Sequence, residues 1–258
     1  MNQKILDSHI HSSTFSDGFL SIEEIVDRGR KMGYMVGIAD HGGIGGDGHY
    51  KLNTISELER YISYLSEINA CCGLEVDAGV SDIPDNLVPR FDYIILSAHH
   101  ILVDRTFVRL DEFFHKKPED PDLYWRNKFG IKDVRSVLDD TLTAIITGLE
   151  TGKFRILGHA TMIPLISLQD ENYKTEWGMR LLDACWRNNV AVELNNYCKA
   201  PESWFMDLAV KFDIVFSIGS DGHREHQVCD ISYPLECISR YKIRSNRIFG
   251  YSLEKRNW

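Results

Sequence analysis

Short apolar runs alternate with longer amphipathic segments along the chain. The runs are rich in Ile, Val and Leu, which is typical of strands that are buried on both faces of a parallel sheet. They begin at Lys4, Tyr34, Ile68, Asp92, Phe154, Val190 and Asp213 and read KILDSH, YMVGIAD, INACCGLEVD, DYIILSAHH, FRILGHA, VAVELNN and DIVFSIGSDGH. This pattern predicts seven strands.

The segments between the runs carry apolar residues at helical spacing. SIEEIVDRGRKMG opens with Ser21 and has Glu24 three residues later, which is a capping-box arrangement, and Gly33 follows its last turn. TISELERYISYLSEIN has Thr54 and Glu57 in the same relation. Three further helices are predicted at VRSVLDDTLTAIITGLETG, EWGMRLLDACWRNN and SWFMDLAVKF.

This alternation implies parallel strands that are joined by right-handed crossovers. Seven such units in 258 residues predict a single domain over residues 1–258, built as a closed or nearly closed α/β barrel. A doubly wound open sheet is the alternative, but the chain has no GxGxxG after the first strand and no GxxxxGK[ST]. The irregular stretch from Val103 to Arg126 is interpreted as an excursion on one connection that forms a partly helical lid.

Composition and charge narrow the classes of function. The net charge of −9 argues against a broad nucleic-acid-binding surface, but it permits an anionic substrate if carboxylates hold cations. The six cysteines form no CxxC pair, and no apolar run approaches the roughly 20 residues of a membrane span. No signal peptide is evident before Asp7, so we expect a cytoplasmic protein with reduced thiols and no membrane partner.

The predicted strands end in side chains that can bind metal ions. The carboxyl ends of the strands of a parallel barrel share one face, and His9 and His11 would point the same way along a strand. The candidate ligands are His9, His11, Asp17, His41, Glu75, His99, His159, Asp221 and His223. Imidazoles mixed with carboxylates, without a thiolate, suit Zn²⁺, Mn²⁺ or Fe²⁺. Nine ligands exceed the about four to six that one ion takes, so two or three divalent ions are predicted.

The motifs HIH, FSDG, ADHGG, GLEVD, SAHH, LGHAT and SDGH follow one another from Asp7 to His223. In content and order they resemble those of the PHP (polymerase and histidinol phosphatase) family, HxH, SDG, DH, GxE, SxH, GH and SDxH. The resemblance implies an α/β fold, a distorted (β/α)7 TIM-like barrel with up to three metal ions at its C-terminal face. The implied ligand sets are His9, His11, Glu75 and Asp221; Glu75, His99 and His159; and Asp17, His41 and His223.

Clustered divalent ions suggest phosphate ester hydrolysis, because they lower the pKa of a bound water from about 15.7 to roughly 7 and neutralise phosphoryl charge. We interpret the chain as a phosphomonoesterase that acts on a small phosphorylated metabolite through a hydroxide bridging two ions. Glu75 would bridge the ions. Asp221, His223 or a metal-bound water would protonate the leaving alcohol. No protein nucleophile is then required, which agrees with the lack of a GxSxG motif.

Further residues are predicted to contact substrate or to support the metal ligands. Asn195 faces the pocket, and phosphate recognition needs a cation, preferably a guanidinium. The candidate cations are Lys199, Arg224, Arg126 and Arg105. Asp40 would orient an imidazole, and His100 points away from His99 and would support the site. For Asn195, Asp40 and the cations, a role as turn-former, loop cap or solvated side chain is the alternative.

Other functions remain open from the sequence. Histidinol phosphate is the best-known substrate of the family, but ELNNYCKAP and LGHATMIP lack the arginine expected near a site for it. The net charge of −9 gives little support to a nuclease or nucleotide phosphodiesterase, and we expect no nucleic-acid partner. A non-catalytic PHP module would often have lost ligands, and an amidohydrolase would usually carry a carboxylated lysine on a middle strand. The oligomeric state is left open.

Overall fold

The structure is a computed structural model that describes residues 5–45, 50–110 and 119–250. The strands are β1 Leu6–Ile10, β2 Met35–Ile38, β3 Cys71–Cys72, β4 Glu75–Asp77, β5 Ile95–Ser97, β6 His100–Val103, β7 Thr106–Arg109, β8 Ile156–Leu157, β9 Ala191–Asn195 and β10 Phe216–Gly219. The helices are α1 Ile22–Met32, α2 Ile55–Ser66, α3 Pro121–Phe129, α4 Val134–Glu150, α5 Glu171–Arg187, α6 Ser203–Ala209 and α7 Ser232–Tyr241. Short 3₁₀ helices cover Val88–Arg90, Pro164–Leu168 and Ser245–Arg247.

Helices α1 and α2 begin where the capping boxes predict. The Ser21 hydroxyl accepts the backbone N–H of Glu24, and the Glu24 carboxylate accepts the backbone N–H of Ser21. Thr54 and Glu57 form the same reciprocal pair at the start of α2. These bonds satisfy N–H groups that a helix start otherwise leaves unpaired. Local sequence therefore determines both starts.

The strands of the predicted runs form two parallel sheets, which confirms an α/β fold. One sheet has the order β1-β2-β3 and the other the order β10-β9-β8-β5-β4. Isolated parallel bridges join Ile10 to Gly222, just after β10, and His41, just after β2, to Glu75. Among the described residues, these two bridges connect the sheets: the first joins the carboxyl ends of β1 and β10, and the second joins the loop after β2 to the first residue of β4.

The third apolar run is divided into β3 and β4, although its sequence predicts one strand. β3 pairs with β2, whereas β4 pairs with β5 in the other sheet. Between them lies Gly73, where a Cβ atom would come within 2.6 Å of the Tyr93 ring. The Tyr93 hydroxyl donates a hydrogen bond to the carbonyl of Ser8 at 2.7 Å, so this ring fills the space between the sheets.

The excursion after β5 begins as a β-hairpin and continues as a helix. β6 and β7 pair antiparallel around a turn in which Asp104 and Arg105 have φ of 46° and 66°. Leu110 donates its N–H to the carbonyl of His99 at 2.7 Å, which returns the chain to the end of β5. Helix α3 supplies the predicted helical part, and residues 111–118 of the predicted lid lie outside the described residues. Among the described helices, none is long and apolar enough to cross a membrane.

Candidate metal centre

The nine candidate ligands meet in one cluster, because they all lie at or just after the carboxyl ends of parallel strands or in the loops that follow. The side chains of His9, His11, Glu75 and His159 are almost completely buried. Asp17 is exposed and His223 is partly exposed, so the cluster opens to solvent on their side. Residues that are widely separated in sequence therefore share one small volume.

Glu75 lies at the middle of this cluster. Its Oε1 lies 3.0 Å from Nε2 of His159 and 3.3 Å from Nε2 of His99. Its Oε2 has three imidazole nitrogens at 2.8, 3.3 and 3.5 Å, which belong to His41, His9 and His11. Burial alone would raise the pKa of Glu75, but the surrounding imidazoles hold it well below its usual value. Glu75 is therefore a carboxylate surrounded by histidines.

Three groups of ligand atoms within the cluster are each compact enough to hold an ion, with all atoms of a group within 4.8 Å of one another. They are His9, His11 and Asp221; His41, Glu75 and His99; and His11, Asp17, His41 and His223. The first group is one implied ligand set without Glu75, and the third is another implied set with His11 added. In the second, His41 takes the place expected for His159, although His159 also contacts Glu75.

The geometry of these atoms fits cations better than it fits hydrogen bonds. Nε2 of His9 and Nε2 of His11 are only 3.1 Å apart, and Asp221 Oδ1 lies 3.2 Å from the latter. Glu75 Oε2 and His41 Nδ1 are buried without a hydrogen-bond partner among the described residues, although they lie 2.8 Å apart. Imidazole nitrogens and carboxylate oxygens that converge in this way suit Zn²⁺, Mn²⁺ or Fe²⁺. The residues therefore fit divalent ions.

Buried carboxylates fix the backbone next to several of the ligands. Asp40, which was predicted to orient an imidazole, instead accepts the backbone N–H of Ser12 at 2.5 Å and its hydroxyl at 2.6 Å. Asp7 accepts the N–H of Ser220 at 2.8 Å, one residue before Asp221. Burial raises the pKa of Asp40 to about 7, an effect that its bonds to Ser12 oppose. Asp40 thus holds the chain just after His11.

Asp77 is a supporting residue that the sequence analysis missed. Its carboxylate binds Nδ1 of His100 and accepts the backbone N–H of His99 at 2.9 Å. His100 is buried, and this contact places it beside the cluster rather than in it. The signal was available, because Asp77 lies two residues after Glu75 and so shares its face of β4.

The four predicted phosphate-binding cations lie elsewhere. Lys199 donates to the amide oxygen of Asn196 at 2.9 Å, Arg224 lies over the Phe19 ring, and Arg126 pairs with Asp122 at 2.6 Å. Arg105 lies in the hairpin turn beside a different pocket. None of these four side chains is among the described residues that line the cavity next to the cluster. The charged end of a long side chain contacts neighbours that are distant in sequence, so the local sequence does not predict where it lies.

Among the residues that the structure describes, Arg109 is the arginine or lysine that lines the cavity. The cavity has a volume of about 710 Å³, and Arg109 lines it together with His41, His99 and His159. The guanidinium lies 5.9 Å from the centre of the Tyr50 ring, which stacks on His41 at 4.6 Å. Arg109 was not among the predicted cations, because its place at the cavity depends on the β6–β7 hairpin, which pairs Arg109 with His100 and which no glycine or proline indicates.

Part of the cavity lining is apolar, and Asn195 does not belong to the lining. The apolar lining residues are Leu110, Met162, Ile163, Pro164, Ile166 and Ala200. Asn195, predicted to contact substrate, is completely buried, and its amide nitrogen lies 3.0 Å from Glu193 and 3.1 Å from Asp221. Asn195 therefore lies next to the cluster but outside the cavity lining, where its amide links the carboxylates of Glu193 and Asp221.

Comparisons with known proteins agree with this arrangement. A family model described as the PHP domain matches residues 7–197. No curated protein sequence matches the chain. A structure assigned as a histidinol phosphatase, HisK, from Listeria monocytogenes has a TM-score of 0.64 at 18% identity, covering 87% of this chain and 97% of that one. Histidinol phosphate phosphatase from Lactococcus lactis, complexed with zinc, L-histidinol and phosphate, has a TM-score of 0.63 at 16% identity, covering 98% and 99%. At such low identities the similarity establishes a shared fold.

Proposed function

The chain belongs to the PHP domain family, and from this premise we propose that it is a metal-dependent phosphatase that hydrolyses a small phosphate monoester. One observation carries the proposal: the buried carboxylate of Glu75 lies within 3.5 Å of imidazole nitrogens from five histidines, three of which line the cavity. Such a cluster is costly to bury unless cations are shared among its members.

We propose that the nine clustered residues hold two or three ions, with zinc, manganese and iron as the candidate metals. When bound, such ions lower the pKa of a water and offset the charge on the phosphoryl oxygens. Glu75 would contact two ions, because its two oxygens face different imidazoles. Asp221 and His223 line the cavity, so they are the residues placed to reach the leaving oxygen. The zinc and phosphate bound in the Lactococcus lactis relative support zinc as a candidate metal and a phosphate ester as the substrate class.

Arg109 is proposed to bind the phosphoryl group. A guanidinium presents parallel N–H donors that match two phosphoryl oxygens, and Arg109 lines the same cavity as His99 and His159. The apolar wall around Ile163 and Ile166 would face the alcohol part of the ester. A cavity of about 710 Å³ suits a small metabolite, and histidinol phosphate is one substrate to test.

We further propose that the two connected sheets form the distorted (β/α)7 barrel, and that residues 1–258 are one domain. The bridges at Ile10–Gly222 and His41–Glu75 support the barrel, since each joins a strand region of one sheet to the other sheet. All six cysteines are free thiols, which supports a cytoplasmic location.

The experiment compares hydrolysis of p-nitrophenyl phosphate and bis-p-nitrophenyl phosphate by the metal-loaded protein, beside elemental analysis. Turnover of the monoester that a chelator abolishes, and that zinc or manganese restores, is the expected result. Preference for the diester would point to a phosphodiesterase. A metal-loaded protein that hydrolyses neither compound, nor any member of a panel of phosphorylated metabolites, would contradict the proposed function.

A further inference from the structure

Glu193 is a buried carboxylate that has no part in the function proposed so far. It belongs to β9, and its side chain is completely buried beneath the metal cluster. An ionised carboxylate at such a depth is strongly unfavourable unless donors surround it. Hydrogen-bond donors around the Glu193 side chain are therefore expected at this depth.

Both oxygens of Glu193 accept hydrogen bonds from residues of the cluster. Oε1 lies 2.7 Å from Nδ1 of His9, and Oε2 accepts the backbone N–H of His159 at 2.7 Å. Oε2 also accepts from the amide of Asn195 at 3.0 Å, and the same amide lies 3.1 Å from Oδ2 of Asp221. One carboxylate thus contacts His9 and His159 directly and Asp221 through Asn195.

The neighbouring strand leaves room for this carboxylate. Gly219 is the last residue of β10, and a Cβ atom there would lie 2.0 Å from Oε1 of Glu193 and 2.8 Å from Cβ of His9. Any side chain at this position would displace the carboxylate from the imidazole. The close approach of Glu193 to His9 is therefore a property of the fold, since it requires glycine on the adjacent strand.

We propose that Glu193 is a positioning residue that fixes the tautomer of His9. A carboxylate can only accept, so the proton of a neutral His9 must lie on Nδ1, which leaves the lone pair on Nε2. Nε2 faces the cluster, 3.3 Å from Oε2 of Glu75 and 3.1 Å from Nε2 of His11. Glu193 thereby presents His9 in the form that a cation requires. This inference rests on the proposed metal centre.

A carboxylate is required here because an amide cannot satisfy both sides. Glutamine has one acceptor oxygen, whereas Glu193 receives N–H groups from His9 on one side and from His159 and Asn195 on the other. If the amide NH₂ faced His9, Nδ1 would have to accept and the ring proton would move to Nε2. If the amide NH₂ faced His159 and Asn195 instead, its N–H donors would point at the N–H donors of these two residues. Either arrangement weakens the metal site without changing the volume of the side chain.

The first test is the affinity of the metal-free protein for Zn²⁺, measured by titration in wild type and in Glu193→Gln. We expect Glu193→Gln to bind Zn²⁺ about 10- to 100-fold more weakly, the usual effect of losing a residue that orients a ligand. Glu57→Gln is the matched control, since it makes the same chemical change at the start of α2, and its affinity should equal that of wild type. Equal affinity in a folded Glu193→Gln protein would overturn the proposal.

The second test uses the wild-type chain, so it decides the matter even if the variant does not fold. In ¹⁵N NMR spectra of the zinc-loaded protein, His9 should carry its proton on Nδ1, and the proton should be protected from exchange. A His9 ring protonated on Nε2 would overturn the proposal. Neither readout depends on hydrolysis, so a protein that passes both tests but cleaves no ester would contradict the proposed function alone.

Discussion

Glu75 shows how single residues in this protein obtain their properties from neighbours that are distant in sequence. Burial alone would favour the protonated acid, yet His9, His41 and His99 lower the pKa enough to keep the carboxylate ionised. The same balance applies to Asp221. Burial alone would raise its pKa, but His9, His11 and His223 hold the pKa well below its usual value. The charge state of each group is thus determined by the whole cluster.

Replacing Glu75 by alanine should remove metal and activity together. The substitution leaves five imidazoles without their shared acceptor, and loss of a catalytic ion is worth several kcal/mol, so kcat/KM should fall by about 100-fold or more. Elemental analysis beside the p-nitrophenyl phosphate assay measures both quantities. Glu171→Ala, on the exposed first turn of α5, is the control. Normal hydrolysis by Glu75→Ala would show that the assigned ligands are wrong.

Replacing Arg109 by methionine should weaken substrate binding and leave the metal content unchanged. Hydrogen bonds to charged groups contribute about 1.5–3 kcal/mol, so KM for a phosphate monoester should rise by about 10- to 100-fold. Arg126→Met removes a guanidinium from the same excursion, where Arg126 pairs with Asp122. Steady-state kinetics should separate the two variants, and identical values would exclude Arg109 as the phosphate contact.

For single residues, the sequence predicts where the candidate metal ligands lie, but it does not predict where the arginine and lysine side chains lie. His9, His41, Glu75 and His159 follow apolar runs directly, so parallel strands bring them to one face. The end of a long arginine or lysine side chain depends on packing that no local pattern records. Glu193 belongs to the run VAVELNN, but its role depends on glycine in the adjacent strand, which the run itself does not indicate.

Among the elements, helices are predicted better than strand pairing. The capping boxes at Ser21 and Thr54 act within four residues, so the starts of α1 and α2 follow from local sequence. The division of the third run into β3 and β4 depends on the Tyr93 ring at Gly73, a contact between separate elements. The β6–β7 hairpin was hidden because Asp104 and Arg105 adopt positive φ without a glycine to indicate the turn.

Substituting Gly37 by alanine should destabilise the protein through the same aromatic ring. A Cβ atom at Gly37 would lie 1.9 Å from the Tyr93 hydroxyl oxygen, and overpacking of this kind costs about 1–3 kcal/mol. In a Tyr93→Phe background the oxygen is absent, so the same substitution should cost less. Urea unfolding of the single and double variants measures the coupling. Strictly additive losses would contradict the predicted clash.

For the whole molecule, the contacts that connect the two sheets lie next to the proposed metal ligands. Asp221 donates its backbone N–H to the carbonyl of His9 at 2.7 Å, and Glu75 donates to the carbonyl of Asp40 at 3.1 Å. The alternation of runs predicts parallel strands and a common face for their ends. It does not predict which strands share a sheet, because the pairing depends on short breaks such as Gly73.

Removing metal should therefore lower the thermal stability of the whole fold. Ligand at about 1,000 times its Kd contributes about 4.1 kcal/mol, which corresponds to a fall in Tm of about 10 °C for a chain of this size. Differential scanning calorimetry with a chelator, followed by added Zn²⁺, measures the loss and its recovery. Glu75→Ala should respond to neither addition. An unchanged Tm in the wild-type protein would show that ions do not stabilise the connection between the sheets.

The pairing of β1 with the segment after β10 also affects the order of events during biosynthesis. Ile10 bridges Gly222, so one edge of β1 has no partner until more than two hundred further residues have been translated. We expect the nascent chain to expose that edge and its two histidines throughout elongation. The two groups that contain Asp221 or His223 can then be completed only late in synthesis, and β1 is the segment that a chaperone would best protect from aggregation.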